Sequence, residues 1–182
     1  LGDTLDLGTP SDGTVVPASM GTTAVTALTA GTGITNGTGT VYRSDVQKLG
    51  NIYHTRILID LTGLASSGSG DIIGKAGTAN SHIGQITAAV LSGKITCMEA
   101  PAGGDPDINL WYADEATGAE DAAITSLTNQ VQMCDSGDFA IGTVVGIPTP
   151  PAADKYLYMV TGAATNADYT AGKLLIELFG YV

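Results

Sequence analysis

At 182 residues the chain has the length of a single domain, enough to bury roughly 70% of its unfolded surface. It is 43% hydrophobic yet only 14% charged, and its 18 acidic and 7 basic side chains leave a net charge of −11. That field repels phosphate backbones and anionic lipid, so neither nucleic acid nor a membrane is an expected partner. No stretch approaches the roughly 18 consecutive apolar residues of a membrane span, and no secretory n-region and h-region are recognisable. Charge this scarce, against roughly 25% in an average globular chain, points to a surface partly covered by neighbouring subunits.

Residues 1–42 form a low-complexity stretch of Gly, Thr, Ala and Ser without a lysine or arginine. Its bulky apolar content is too low for a core of its own, so it reads either as a flexible leader or as an arm that orders against a neighbour. From residue 43 to 182 the character is that of a β domain. Ile52–Leu61 alternates with period two, placing Tyr53, Thr55, Ile57, Ile59 and Leu61 on one face and His54, Arg56 and Asp60 on the other. Further strands are expected at Ile83–Leu91, Lys94–Ala100 and Asp107–Ala113. The last two flank PAGGDP, a segment whose composition suits a reversing loop between antiparallel strands.

Gly118–Gln130 predicts at most one short helix, and IPTPPA (residues 147–152) a stiff connector. Asp154–Thr161 and Lys173–Val182 read as the closing strands. The last of these is apolar on both faces, Leu174, Ile176 and Leu178 against Leu175, Phe179 and Tyr181. Such a strand is central in a sheet, or is covered on its second face by another layer or subunit. Short strands, frequent Gly and Pro turns and no alternating helices predict an all-β fold. The expected architecture is an antiparallel sandwich, jelly-roll-like, with an extended N-terminal arm.

The search for chemistry returns no catalytic constellation. SGDIIGKA (Ser69–Ala76) departs from a phosphate-binding loop at both Ser69 and Ala76, and GTGITNG (Gly31–Gly37) has Asn36 where a dinucleotide fingerprint needs its third glycine. Asp105, Asp107 and Asn109 begin like a calcium loop, but Leu110 stands at the turn glycine and Ala116 at the bidentate glutamate. A loose surface calcium site there, or at Asp135 and Asp138, is weighed against ordinary turn aspartates. No cofactor is expected. Cys97 and Cys134 read as small buried hydrophobes, a disulfide between them depending on whether their strands are neighbours. His54 reads as solvent-facing. Adjacent acids such as Asp114 with Glu115, or Glu120 with Asp121, read as a solvated patch, and Asn36-Gly37-Thr38 is a lone glycosylation sequon.

Four segments together carry a resemblance: the Gly/Thr/Ala-rich leader, GNIYHTRILIDLTGL, GKITCMEAPAGGDPDINLWYADEATG and the terminal GKLLIELFGYV. Over residues 41–182 the chain resembles virion structural proteins of tailed phages infecting aquatic bacteria, and within them head decoration, or capsid cement, proteins. The likeness lies in texture and strand order, so no site residue is carried over. The resemblance implies a non-enzymatic subunit that forms a homotrimer on the outer surface of the capsid, bridges the major capsid protein and braces the head. The expected contact residues are Val15, Val16, Val25, Leu28 and Ile34 of the arm, with Leu174, Ile176, Leu178, Phe179 and Tyr181 of the terminal strand serving as core and subunit contact. Two alternatives stand beside this reading. One is a jelly-roll coat or tail-associated subunit; the other is a carbohydrate-binding β-sandwich module using Trp111, Tyr112 and nearby acids.

Overall fold

The computed structural model describes residues 28–30 and 42–181. They form an antiparallel β-sandwich of two five-stranded sheets. Sheet I runs in the order β1 (Leu28–Ala30), β5 (Gly84–Ile86), β10 (Lys155–Thr161), β7 (Ile108–Ala113), β8 (Val131–Cys134). Sheet II runs β2 (Tyr42–Leu49), β3 (Ile52–Asp60), β12 (Ala171–Tyr181), β6 (Ala89–Ala102), β9 (Val144–Gly146). A two-stranded ribbon of β4 (Ala65–Ser66) and β11 (Ala167–Asp168) closes one side. The expected all-β sandwich is therefore the fold. Of the arm, only β1 is described, paired with β5 through Leu28 and Ile86. Among the described residues no helix is long and apolar enough to cross a membrane.

Period-two patterning builds the core. Inward-facing Ile57, Ile59, Ile95, Leu174, Ile176 and Leu178 of sheet II meet Ile86, Ile108, Leu110, Leu157 and Met159 of sheet I in one buried cluster. Cys97 and Cys134 lie in the same cluster as free, buried thiols whose proton affinity is raised by burial. The terminal strand is central in sheet II, flanked by β3 and β6, which accounts for its apolar character.

Three sequence expectations are corrected. Ile83–Leu91 is not one strand: it ends as β5 in sheet I and resumes at Ala89 as β6 in sheet II. PAGGDP does not join ladder partners either, because β6 pairs with β12 and β9 while β7 pairs with β10 and β8. The loop is a corner between sheets. The expected helix within Gly118–Gln130 is reduced to a 3-10 turn at Ile124–Ser126.

Sheet I is also covered on its outer side. Residues 70–73 run beside β10, with Ile72 bridged to Val160, and together with residues 114–130 they bury Ile72, Ala113, Ile124, Tyr158 and Val160 as a second cluster. The Tyr158 hydroxyl holds this cover by donating to the Glu115 carbonyl (2.6 Å) and accepting from the Gly118 N–H (3.2 Å). Burial pushes the Tyr158 phenol up to about 12, and burial raises Tyr169 further. A folded-state pKa above the unfolded value of about 10 contributes no pH dependence below pH 10. As pH rises from about 10 towards 12 the unfolded chain releases protons that the folded chain retains, and stability falls. Chemical denaturation at pH 9 and pH 11 is expected to show a lower midpoint at pH 11, which Tyr158→Phe partly removes. Equal midpoints would contradict this burial.

Candidate functional site

Two surfaces stand out, one on the outer face of each sheet. On sheet II the outer face has no covering layer among the described residues. Residues directly opposite each other in a ladder point to the same side, so register defines its rows. Leu49, Ile52 and Tyr181 form one apolar row, respectively 82%, 57% and 49% exposed. His54 and Phe179 form the next, their rings stacked with centroids 4.4 Å apart. A charged row of Arg56, Glu177 and Lys94 follows, in which the Glu177 carboxylate meets Lys94 at 2.9 Å and His54 at 3.2 Å. Lys94 and then His54 hold that carboxyl below its usual range. Leu58, Leu175, Thr96 and Val144 make a second apolar row, and Lys173 pairs with Glu99 beyond it.

The residues expected at a subunit contact divide accordingly. Leu174, Ile176 and Leu178 belong to the protomer core, each 2% exposed or less, and do not reach the surface. Phe179 and Tyr181 lie on the outer face with Leu175, because alternation sends every second residue of β12 outward. Leu28 sits in β1 at the edge of sheet I. Val15, Val16, Val25 and Ile34 lie outside the described residues, as do the Gly31–Gly37 motif and the sequon. His54, expected to face solvent, is on the polar face but engaged by Phe179 and Glu177.

On sheet I the cover leaves a cleft of about 280 Å³ lined by Ser69, Asp107, Asn109, Trp111, Gln132, Asp135, Val160, Thr161 and the glycines 70 and 162. Its floor follows from alternation along β7: Ile108 and Leu110 face the core, and Asn109 and Trp111 face out. A β-bulge next to Trp111 shifts the register so that Gln132 lies opposite it. Tyr112 packs against the main core, on the other side of the strand from Trp111. A joint Trp111–Tyr112 platform is therefore ruled out by the period of the strand.

The rim is fixed by backbone contacts. The Ser136 N–H donates to Asn109 Oδ1 (2.9 Å), the Gly162 N–H to the Asp107 carbonyl (2.7 Å), and the Ser69 hydroxyl to the Gly162 carbonyl (2.7 Å). Asp107, Asp105, Asp135 and Asp138 gather here, Asp107 and Asp138 being bridge partners. Burial first, then the charges of Asp135, Asp105 and Asp138, raise the Asp107 carboxyl. Among the described residues no three His, Cys, Asp or Glu side chains are arranged to hold a metal ion. Asp105 and Asp107 do serve as turn residues, the Asp107 N–H donating to Asp105 Oδ1 at 2.9 Å.

Sequence reasoning read Asp107 and Asn109 with Asp105 as the start of a calcium loop, and Trp111 with Tyr112 as a sugar platform; the spacing of two residues from Asp107 to Asn109 to Trp111 was the signal that these three share a face. Gln132, Thr161 and Gly162 carried no local signal, because they reach the cleft from distant strands. The failed phosphate-loop segment contributes Ser69 and the glycine after it to the wall.

No protein-family model matches this chain, and no curated protein or solved structure does. The functional reading therefore rests on these two surfaces.

Proposed function

We propose that the chain is a non-enzymatic virion structural protein of the head-decoration class, working as a homotrimer on the outside of a phage capsid. The observation that carries this reading is the outer face of sheet II, where the central strand β12 presents Leu175, Phe179 and Tyr181 without a layer over them among the described residues. A second copy of the same chain is the occupant that suits it. The described ionisable side chains facing out in β3, β6 and β12, leaving histidine aside, are Arg56, Lys94 and Lys173 against Asp60, Glu99 and Glu177, three of each sign. In a chain of net charge −11 the acidic excess then lies elsewhere, and copies can meet at a neutral face without strong repulsion. Avidity of a trimer on a repeating lattice gives firm attachment from modest single contacts.

The test begins with mass in solution by light scattering after size exclusion. Three times the 18.3 kDa protomer mass is expected. Leu175→Lys should yield a folded monomer, because a half-exposed position tolerates the lysine within the protomer but an apolar contact does not. The trimer should then bind undecorated heads and raise their resistance to heat. A wild-type monomer overturns the reading. Closed particles or fibres formed by the chain alone transfer it to a coat or tail-associated subunit.

A further inference from the structure

We propose that the cleft on the outer face of sheet I is a metal-independent binding site for a neutral carbohydrate. This is independent of the assembly surface, which lies on the opposite sheet. The cleft's volume of about 280 Å³ is near the lower end of small-molecule pockets, roughly 300 Å³, and matches one or two sugar rings rather than a polymer or a peptide.

The lining specifies the ligand's chemistry. Asp107 and Asp135 offer carboxylate acceptors, Asn109 and Gln132 carry amides that both donate and accept, and Ser69 carries a hydroxyl. A sugar hydroxyl donates one hydrogen bond and accepts others, so this mixture suits a polyol. Trp111 supplies the apolar surface against which the C–H face of a pyranose packs, and its ring is partly fixed by the outer cluster of Ile72, Ala113 and Val160. Among the described residues no lysine, arginine or histidine lines the cleft, so a phosphate or sulfate ligand would meet two carboxylates and no described cation. Three of the polar walls are also positioned before any ligand arrives: the bonds from Ser136 to Asn109, from Gly162 to Asp107 and from Ser69 to Gly162 set them. Such preorganisation lowers the entropy lost on binding. Among the described residues no three His, Cys, Asp or Glu side chains converge on a metal ion, and the polar groups of the lining can hydrogen-bond a sugar directly.

Trp111 is the chain's single tryptophan, so its emission reports on the cleft directly. The full chain would be titrated with glucose, galactose, mannose, N-acetylglucosamine and their β-1,4-linked disaccharides, with and without a chelator, followed by fluorescence and by calorimetry. Expected is saturable binding of at least one of these sugars, unchanged by the chelator and weakened about ten-fold or more by Gln132→Ala and by Asp135→Asn. Both variants should keep the wild-type melting temperature, since both positions lie at the solvent rim. No saturable signal by either method with any sugar overturns the proposal. So does binding that needs calcium, binding that both variants retain, or saturation by a simple alkylamine in place of the sugars.

Discussion

Replacing Ile176 by aspartate is expected to abolish folding. Ile176 is 1% exposed at the middle of β12, and its ladder partners are Ile57 on β3 and Ile95 on β6, themselves 0% and 2% exposed. The three form a cross-strand row facing sheet I. A carboxylate placed there meets no cation, because the described neighbours in the cluster are aliphatic, aromatic or sulfur-bearing. The cost of burying such a group runs to several kcal/mol even after it takes up a proton. Loss of the isoleucine packing adds to that cost, against a total stability of about 5–15 kcal/mol for a typical domain. Ile176→Ala gives the graded version, with an expected cost of about 2–5 kcal/mol and a melting temperature lower by on the order of 10 °C in a chain of this size. Circular dichroism and thermal melts measure both. A soluble Ile176→Asp protein with an unchanged melt would place the strand at the surface and refute the core described above.

The same strand shows what was legible in the sequence. Alternation names faces, and it named them correctly for β3 and β12, because a half-buried strand selects apolar side chains at every second position. It does not name partners. The Ile83–Leu91 segment shows why: Ile86 and Ala88 are both buried, so the apolar alternation runs on across the point where the chain leaves sheet I for sheet II. Ile86 pairs with Lys155 in one sheet and Ala89 with Tyr181 in the other, three residues apart, with no break in pattern to mark the transfer. The cleft was half legible for a related reason. Asp107, Asn109 and Trp111 share one strand face and could be grouped by period, whereas Gln132 and Thr161 are brought in by non-local pairing that turn chemistry and composition do not encode. The outer row of Leu58, Leu175, Thr96 and Val144 is likewise a product of register among four strands.

Gly103→Ala is expected to be the most damaging single methyl in the corner that PAGGDP makes between the sheets. Gly103 has φ +87°, a left-handed conformation that disfavours a side chain by on the order of 1 kcal/mol. An added Cβ would also collide with the Asp168 carbonyl and approach the Thr170 N–H to 3.0 Å, both of them backbone. Those atoms are not free to withdraw. Thr170 N–H donates to the Ala102 carbonyl at 2.8 Å, and Asp168 is held in the ribbon opposite Ala65. Next to them Tyr169, 1% exposed, donates its hydroxyl to the Asp105 carbonyl at 2.8 Å, and the Asp105 N–H donates to Ser66 Oγ at 3.0 Å. Overpacking of this kind costs about 1–3 kcal/mol beyond the conformational term. Gly77→Ala separates the two contributions, since Gly77 has φ +76° with nothing within 4 Å of the added carbon. Gly77→Ala should lower the melting temperature by only a few degrees, and Gly103→Ala by clearly more. Equal losses would mean that the backbone conformation alone matters and that the corner yields to the methyl. A larger loss at Gly103 has a further consequence, because the corner leads directly into β7. Displacing it moves Asp107, Asn109 and Trp111 together, so the emission of Trp111 in the folded Gly103→Ala protein should shift, while that of Gly77→Ala should not.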